Sequence, residues 1–143
     1  MHDFEIQKTR LLREHEILRA LLARVGEAAE RAQGGDPLGA VHLRTALPPL
    51  RAAFEAHLGH EEEALAPVLA RLDSWGPHRL EQMAKEHASQ RRALALTAGE
   101  VQSGANDVAV ARRALKLVAT LLDDMAAEEI DLFDLAVQRA QAV

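Results

Sequence analysis

Apolar residues recur along this chain in steps of three and four, and three clusters of turn-forming residues interrupt them: Gly34-Gly35-Asp36-Pro37, Asp73-Ser74-Trp75-Gly76-Pro77 and Ser103-Gly104-Ala105-Asn106-Asp107. A period near 3.6 bounded by such residues predicts four helices, over roughly 4–32, 38–71, 77–101 and 107–140. Pro48-Pro49 inside the second segment predicts a break or kink there, because proline removes a helical hydrogen bond and crowds the preceding turn. Pro67 predicts a second distortion near its end. Short connections make sequential helices antiparallel neighbours, so the expected fold is an all-α, up-down-up-down four-helix bundle, one domain over 1–143.

The same periodicity shows which polar residues face inward. On the first helix the seam runs Leu11, His15, Leu18, Leu22, Val25, and on the second Leu50, Phe54, His57, Glu61, Ala64, Val68. On the fourth it runs Val110, Ala114, Leu117, Leu121, Asp124, Glu128, with Leu135 beyond. The third helix is less regular: Leu80, Met83, His87 and Leu94 are in phase, but only Gln90 or Arg91 fills the gap between the last two. His57 with Glu61, and Asp124 with Glu128, are four residues apart and so share a helical face.

Composition narrows the chemistry. The 143 residues are 48% hydrophobic, 3% aromatic and 27% charged, which favours packed helices. A net charge of −5 argues against a nucleic-acid surface. With no cysteine there is no disulfide framework and no thiolate metal site, so any metal must be held by imidazole and carboxylate. No tyrosine is present, which excludes a tyrosyl radical partner within the chain. The start lacks the basic and apolar regions of a signal peptide, and no apolar run reaches bilayer-spanning length, so a soluble cytoplasmic protein without membrane contact is expected.

Three carboxylates facing one core would repel one another and lose hydration, which costs several kcal/mol each unless a cation compensates. A divalent ion resolves both problems. The alternative for any single residue is a wet bundle end, or an ion pair with Arg19 or Arg91, four residues after His15 and His87. For the six together, His15, His57, Glu61, His87, Asp124 and Glu128, a metal site is the simpler account. His60, three residues from His57, could join the site, but its place off the seam next to Glu63 favours a position behind the site or at the surface. Glu62, Glu63 and Glu129 read as a solvated or salt-bridged flank, and His2, His42 and His78 as surface histidines. No Ser-His-Asp order or phosphate-binding loop is visible.

These motifs resemble the hemerythrin-like, or HHE cation-binding, family: a lone His, then His-x-x-x-Glu, a lone His, and a second His-x-x-x-Glu on successive helices. Here the positions are His15, His57 with Glu61, His87, and Asp124 with Glu128. The resemblance includes the Glu before each lone His, the Glu-Glu closing each paired motif, and the Leu-Ala-Pro after the first. It implies two irons, with manganese or zinc as substitutes, bridged by Glu61 and Glu128. One iron would take His15 and His57, the other His87 and Asp124. Two features depart from the family: Asp124 stands where histidine is usual, and the third helix carries one histidine where oxygen carriers have two. Replacing a neutral ligand by an anion should stabilise ferric iron and disfavour reversible O2 carriage.

The resemblance therefore implies a di-iron protein that binds or reacts with O2, peroxide or NO, as an oxidase or peroxidase-type oxidoreductase. Two other classes stay open. One is a module that senses O2, NO or iron, or stores metal, without turnover. The other is a metal-poor structural bundle in which Asp124 marks a decayed site. Protein partners and any organic substrate are not legible.

Overall fold

A computed structural model describes residues 2–104 and 107–141. Four helices account for nearly all of them: α1 (His2–Gln33), α2 (Pro37–Leu72), α3 (Gly76–Gly104) and α4 (Val108–Gln141). No strand occurs among the described residues. Helix α1 packs against α2 and α4, and α2 against α3, which closes a four-helix bundle whose sparsest seam lies between α3 and α4.

The turns form where the punctuation predicts them. Gly35 adopts a positive φ of 87°, the left-handed conformation that glycine reaches without a Cβ clash. Around it, Asp36 N–H donates to the Arg31 carbonyl and Gly35 N–H to Ala32, so the last carbonyls of α1 are satisfied by a Schellman-type cap. The Asp36 side chain then accepts the Leu38 N–H at 3.0 Å and opens α2, with Pro37 at the position where a missing N–H costs nothing. Asp107 caps α4 in the same way, through the Ala109 N–H, whereas Asp73 ends α2 and accepts the Trp75 N–H within the turn that precedes α3. Within the third turn cluster, Ala105 and Asn106 lie outside the described residues.

Helix α2 differs from the sequence expectation of a break, since it runs unbroken through Pro48, Pro49 and Pro67. The reason is tertiary. Leu43, Leu47, Leu50 and Phe54 on either side are fully buried, while Pro48 and Pro49 face solvent, so each ring sacrifices a hydrogen bond on the outer face without disturbing the packed one.

Two apolar clusters fill the bundle. The larger holds Leu18, Leu22, Leu43, Leu50, Phe54, Leu94, Leu121 and Met125 among others; the smaller holds Phe4, Leu11, Leu65, Leu132 and Leu135. Between them in sequence on α1, α2 and α4 come His15, His57, Glu61 and Glu128. The polar layer thus separates two hydrophobic compartments.

Candidate metal centre

His15, His57, Glu61 and His87 are all buried, although each could be solvated at low cost on a helix surface. Their seam positions carry them inward along with the leucines above and below. His15 Nε2 lies 3.2 Å from His57 Nε2 and 3.1 Å from Glu128 Oε1. His57 Nε2 is also 3.5 Å from Glu128 Oε1 and 3.3 Å from Glu61 Oε2. The other oxygen of Glu61, Oε1, is 3.4 Å from His87 Nε2. Glu61 therefore turns one oxygen towards the α1/α2 imidazoles and the other towards α3.

The far side of each imidazole is held by a carboxylate. Glu129 Oε1 is 3.0 Å from His15 Nδ1, Glu14 Oε1 is 2.9 Å from His57 Nδ1, and Glu62 Oε1 is 2.9 Å from His87 Nδ1. A carboxylate beside Nδ1 keeps the proton on that nitrogen and turns the Nε2 lone pair inward, the arrangement that orients and strengthens an imidazole ligand. Arg19 fixes Glu129 at 2.7 Å and Arg91 fixes Glu62 at 2.8 Å. His60 Nδ1 holds the second oxygen of Glu14 at 2.6 Å. His60 thus stands behind His57, off the seam.

The donor set fits a cation. With Nδ1 protons directed outward, two imidazole lone pairs and a carboxylate oxygen face one another within 4.8 Å at His15, His57 and Glu128. Glu61 Oε2 is buried without a hydrogen-bond partner. Such a cluster is stable only with protons or a metal ion in its midst. The proton affinities agree: burial works against charging His57, yet contacts to Glu128, Glu61 and Glu14 overcome it and raise its pKa to about 10. Burial likewise opposes charge on His87, and Glu61 and Glu62 raise its pKa nonetheless. Burial would raise Glu128, but His15 and His57 hold it below the ordinary carboxylate range.

Asp124 occupies a different environment. It is half-buried at the α3 side, where Gln90 Nε2 donates to its Oδ2 at 3.1 Å. Together with Glu61, His87 and Glu128 it lines a cleft of about 740 Å³ between α3 and α4. Leu65, Leu69, Met83, Leu132 and Leu135 form apolar walls further along. Glu86, also in this cleft, has a raised pKa, through burial and then repulsion from Asp124. Asp131 is raised by burial and by Asp134 and Glu128.

A family model for the hemerythrin HHE cation-binding domain matches residues 9–136, nearly the whole chain. The chain belongs to this family. No curated protein and no solved structure gives a significant match. For this hemerythrin-like domain the geometry brings five of the six sequence-derived candidates, His15, His57, Glu61, His87 and Glu128, into one connected cluster and sets Asp124 at its cleft-facing edge. Sequence reasoning missed the roles of Glu14, Glu62 and Glu129. Each is the immediate neighbour of an inward residue, so it points about 100° round the helix, towards the adjacent helix. His42 and His78 are exposed as expected. The His2 side chain lies outside what is described.

Proposed function

We propose that this hemerythrin-like domain is a non-haem di-iron protein that binds and reacts with a small oxygen or nitrogen species, O2, peroxide or NO. The observation that carries this reading is Glu61, whose two oxygens address His57 on one side and His87 on the other. That is how a bridging carboxylate would be disposed between two ions, one with His15 and His57 and one with His87 and Asp124, with Glu128 as the second bridge. Imidazole and carboxylate donors suit iron, with manganese or zinc as substitutes.

Bound iron would supply the electrons for reducing such a ligand. The chain itself does the rest. Glu14, Glu62 and Glu129 orient the imidazoles, and the α3/α4 cleft gives a small molecule access to the His87–Asp124 side. Glu86 and Asp131 keep their carboxyl protons to higher pH than ordinary acids and stand in that cleft, where a reduced ligand needs protons. The anionic Asp124 adds charge that favours the oxidised metal, hence redox reaction over reversible carriage.

A second reading has its own support. His15, His57 and Glu128 form the tightest group, and Asp124 is engaged by Gln90. A single ion on that trio would make the domain a metal-storage or sensing module. Anaerobic loading with Fe(II), followed by metal analysis and stopped-flow mixing with O2, peroxide and NO, separates the two. The di-iron reading expects two irons per chain and oxidation of both by at least one of these ligands. A single iron, or a loaded protein inert to all three, contradicts it.

A further inference from the structure

Helix α4 is amphipathic twice over. Opposite its core face, Val108, Leu115, Ala119, Leu122, Ala126, Ile130, Phe133 and Val137 fall within an arc of about 80° at 100° per residue, a straight apolar stripe over the length of the helix. Arg112 is the one charged residue inside that arc. Ile130, Phe133 and Val137 are 62%, 54% and 55% exposed, and Val108 and Leu122 are exposed as well. Leu115 is partly buried against the protomer's own core and the Lys8 ammonium lies 5.4 Å from the Phe133 ring centre; the other residues of the stripe are exposed.

The charges beside the stripe are sorted along the helix. Arg112 and Lys116 lie in its first half, Asp123 near its middle and Asp134 in its second half, all at one edge of the arc. The ion pairs that α4 makes within the protomer use Arg113, Glu128 and Glu129, and leave these four exposed residues unpaired among the described residues.

We propose that the outer face of α4 docks on the same face of a second copy of this chain, with the two helices antiparallel. A two-fold axis perpendicular to a helix brings the same edge of both copies together in opposite directions, so Arg112 of each copy meets Asp134 of the other. With the axis near Leu122, Val137 packs on Val108, Ile130 on Leu115 and Ala126 on Ala119, while Phe133 meets the guanidinium of Arg112. The alanines in the middle let the helix axes approach closely. A parallel pairing would set base against base and acid against acid. Because Asp134 also lines the α3/α4 cleft, this pairing places the second copy's Arg112 at the rim of the candidate site. Asp123 lies beside the axis and faces its own copy, the one unfavourable contact of the arrangement.

Sedimentation velocity on the full chain tests this without reference to metal. Association should take the 15.6 kDa protomer to a species of twice that mass at concentrations of about 100 µM or below. Ile130→Glu or Phe133→Glu should weaken association at least about tenfold while helical circular dichroism stays intact. Ile17→Glu, on the outer face of α1, should leave it unchanged. Arg112→Asp and Asp134→Arg should each weaken the dimer and together restore it, and Asp123→Asn should tighten it. A chain that stays monomeric throughout, forms larger assemblies only, or dimerises with no response to the α4 substitutions overturns the proposal. Loss through Ile17→Glu, or no rescue by the charge swap, overturns the antiparallel α4 pairing as well.

Discussion

His15 and His87 are held alike: each has a carboxylate on Nδ1, from Glu129 or Glu62, and each of these carboxylates is fixed by an arginine four residues after the histidine it supports, Arg19 or Arg91. The residues between them in the cluster are not. His57 has Glu14 behind it, itself steadied by His60. The corresponding position on α4 is Asp124, and the residue corresponding to Glu14 is Glu86, which repels Asp124 instead of receiving a hydrogen bond from it. Leu18, buried three residues after His15, has as its counterpart Gln90, three residues after His87, which turns to Asp124. One half of the centre is thereby sealed by apolar packing and the other opens into the cleft. A shorter, anionic side chain and one polar residue in the seam coincide with the side that opens into the cleft.

The largest expected effect lies in the sealed half. His57 touches both Glu61 and Glu128, so His57→Ala should remove at least one metal per chain in elemental analysis. His60→Ala acts only through Glu14 and should keep the stoichiometry while weakening affinity roughly tenfold. Equal metal loss in both variants would break the assignment of roles.

Next come the two carboxylates at matching positions. Glu14→Gln should lower metal affinity about 10- to 100-fold, the usual consequence of losing a group that orients a ligand. Glu86→Gln supports no imidazole and should change affinity no more than about twofold on the same scale. Competition titration with a chelator measures both. Similar losses would show that the halves are equivalent after all.

Asp124→His tests whether the open half can be completed. The new imidazole would have Glu86 behind it, as His57 has Glu14, so two metals should be retained, the reduction potential should rise and autoxidation should slow. Asp124→Ala should lower affinity for the second metal. Redox titration of the three proteins at verified iron content checks this, and identical potentials would remove Asp124 from the metal's surroundings.

The smallest effect is on the metal-free chain. His57 has a folded pKa near 10 against an ordinary 6.5, so its stabilising contribution is complete below pH 6.5 and disappears as pH rises through about 10. Glu128, shifted the other way, contributes above its ordinary 4.5 and loses that contribution as pH falls through its depressed pKa. Thermal unfolding of the metal-free protein should therefore peak between pH 4.5 and 6.5 and decline towards pH 10, with a flatter decline in His57→Ala. Metal should reverse the alkaline trend, since it competes with protons for the same atoms. A metal-free profile flat from pH 6.5 to 10 would contradict the clustering of carboxylates round His57.

Much of this was readable from the chain. The four helices and their turns followed from periodicity and capping residues, and the inward histidines followed from their places among leucines. What periodicity could not show was anything tangential. Glu14, Glu62 and Glu129 sit beside the seam, and only the packing of neighbouring helices turns a flank acid into a partner for an imidazole. Pro48 and Pro49 do not break α2 for a related reason: their cost is local, whereas the buried residues around them fix α2 through contacts with other helices. Asp124 was assigned to the seam by spacing, yet Gln90 and the sparse α3/α4 packing set how deeply it lies.

The central claim is that two ions lie across Glu61, one in the sealed half and one in the open half. Anaerobic titration of the metal-free chain with Fe(II), read by bound iron and by Mössbauer spectroscopy, addresses it directly. Two irons per chain in distinct environments are expected, with Glu61→Ala losing the binuclear signature while His60→Ala keeps it. Saturation at one iron, or a binuclear signature that survives Glu61→Ala, would contradict the account.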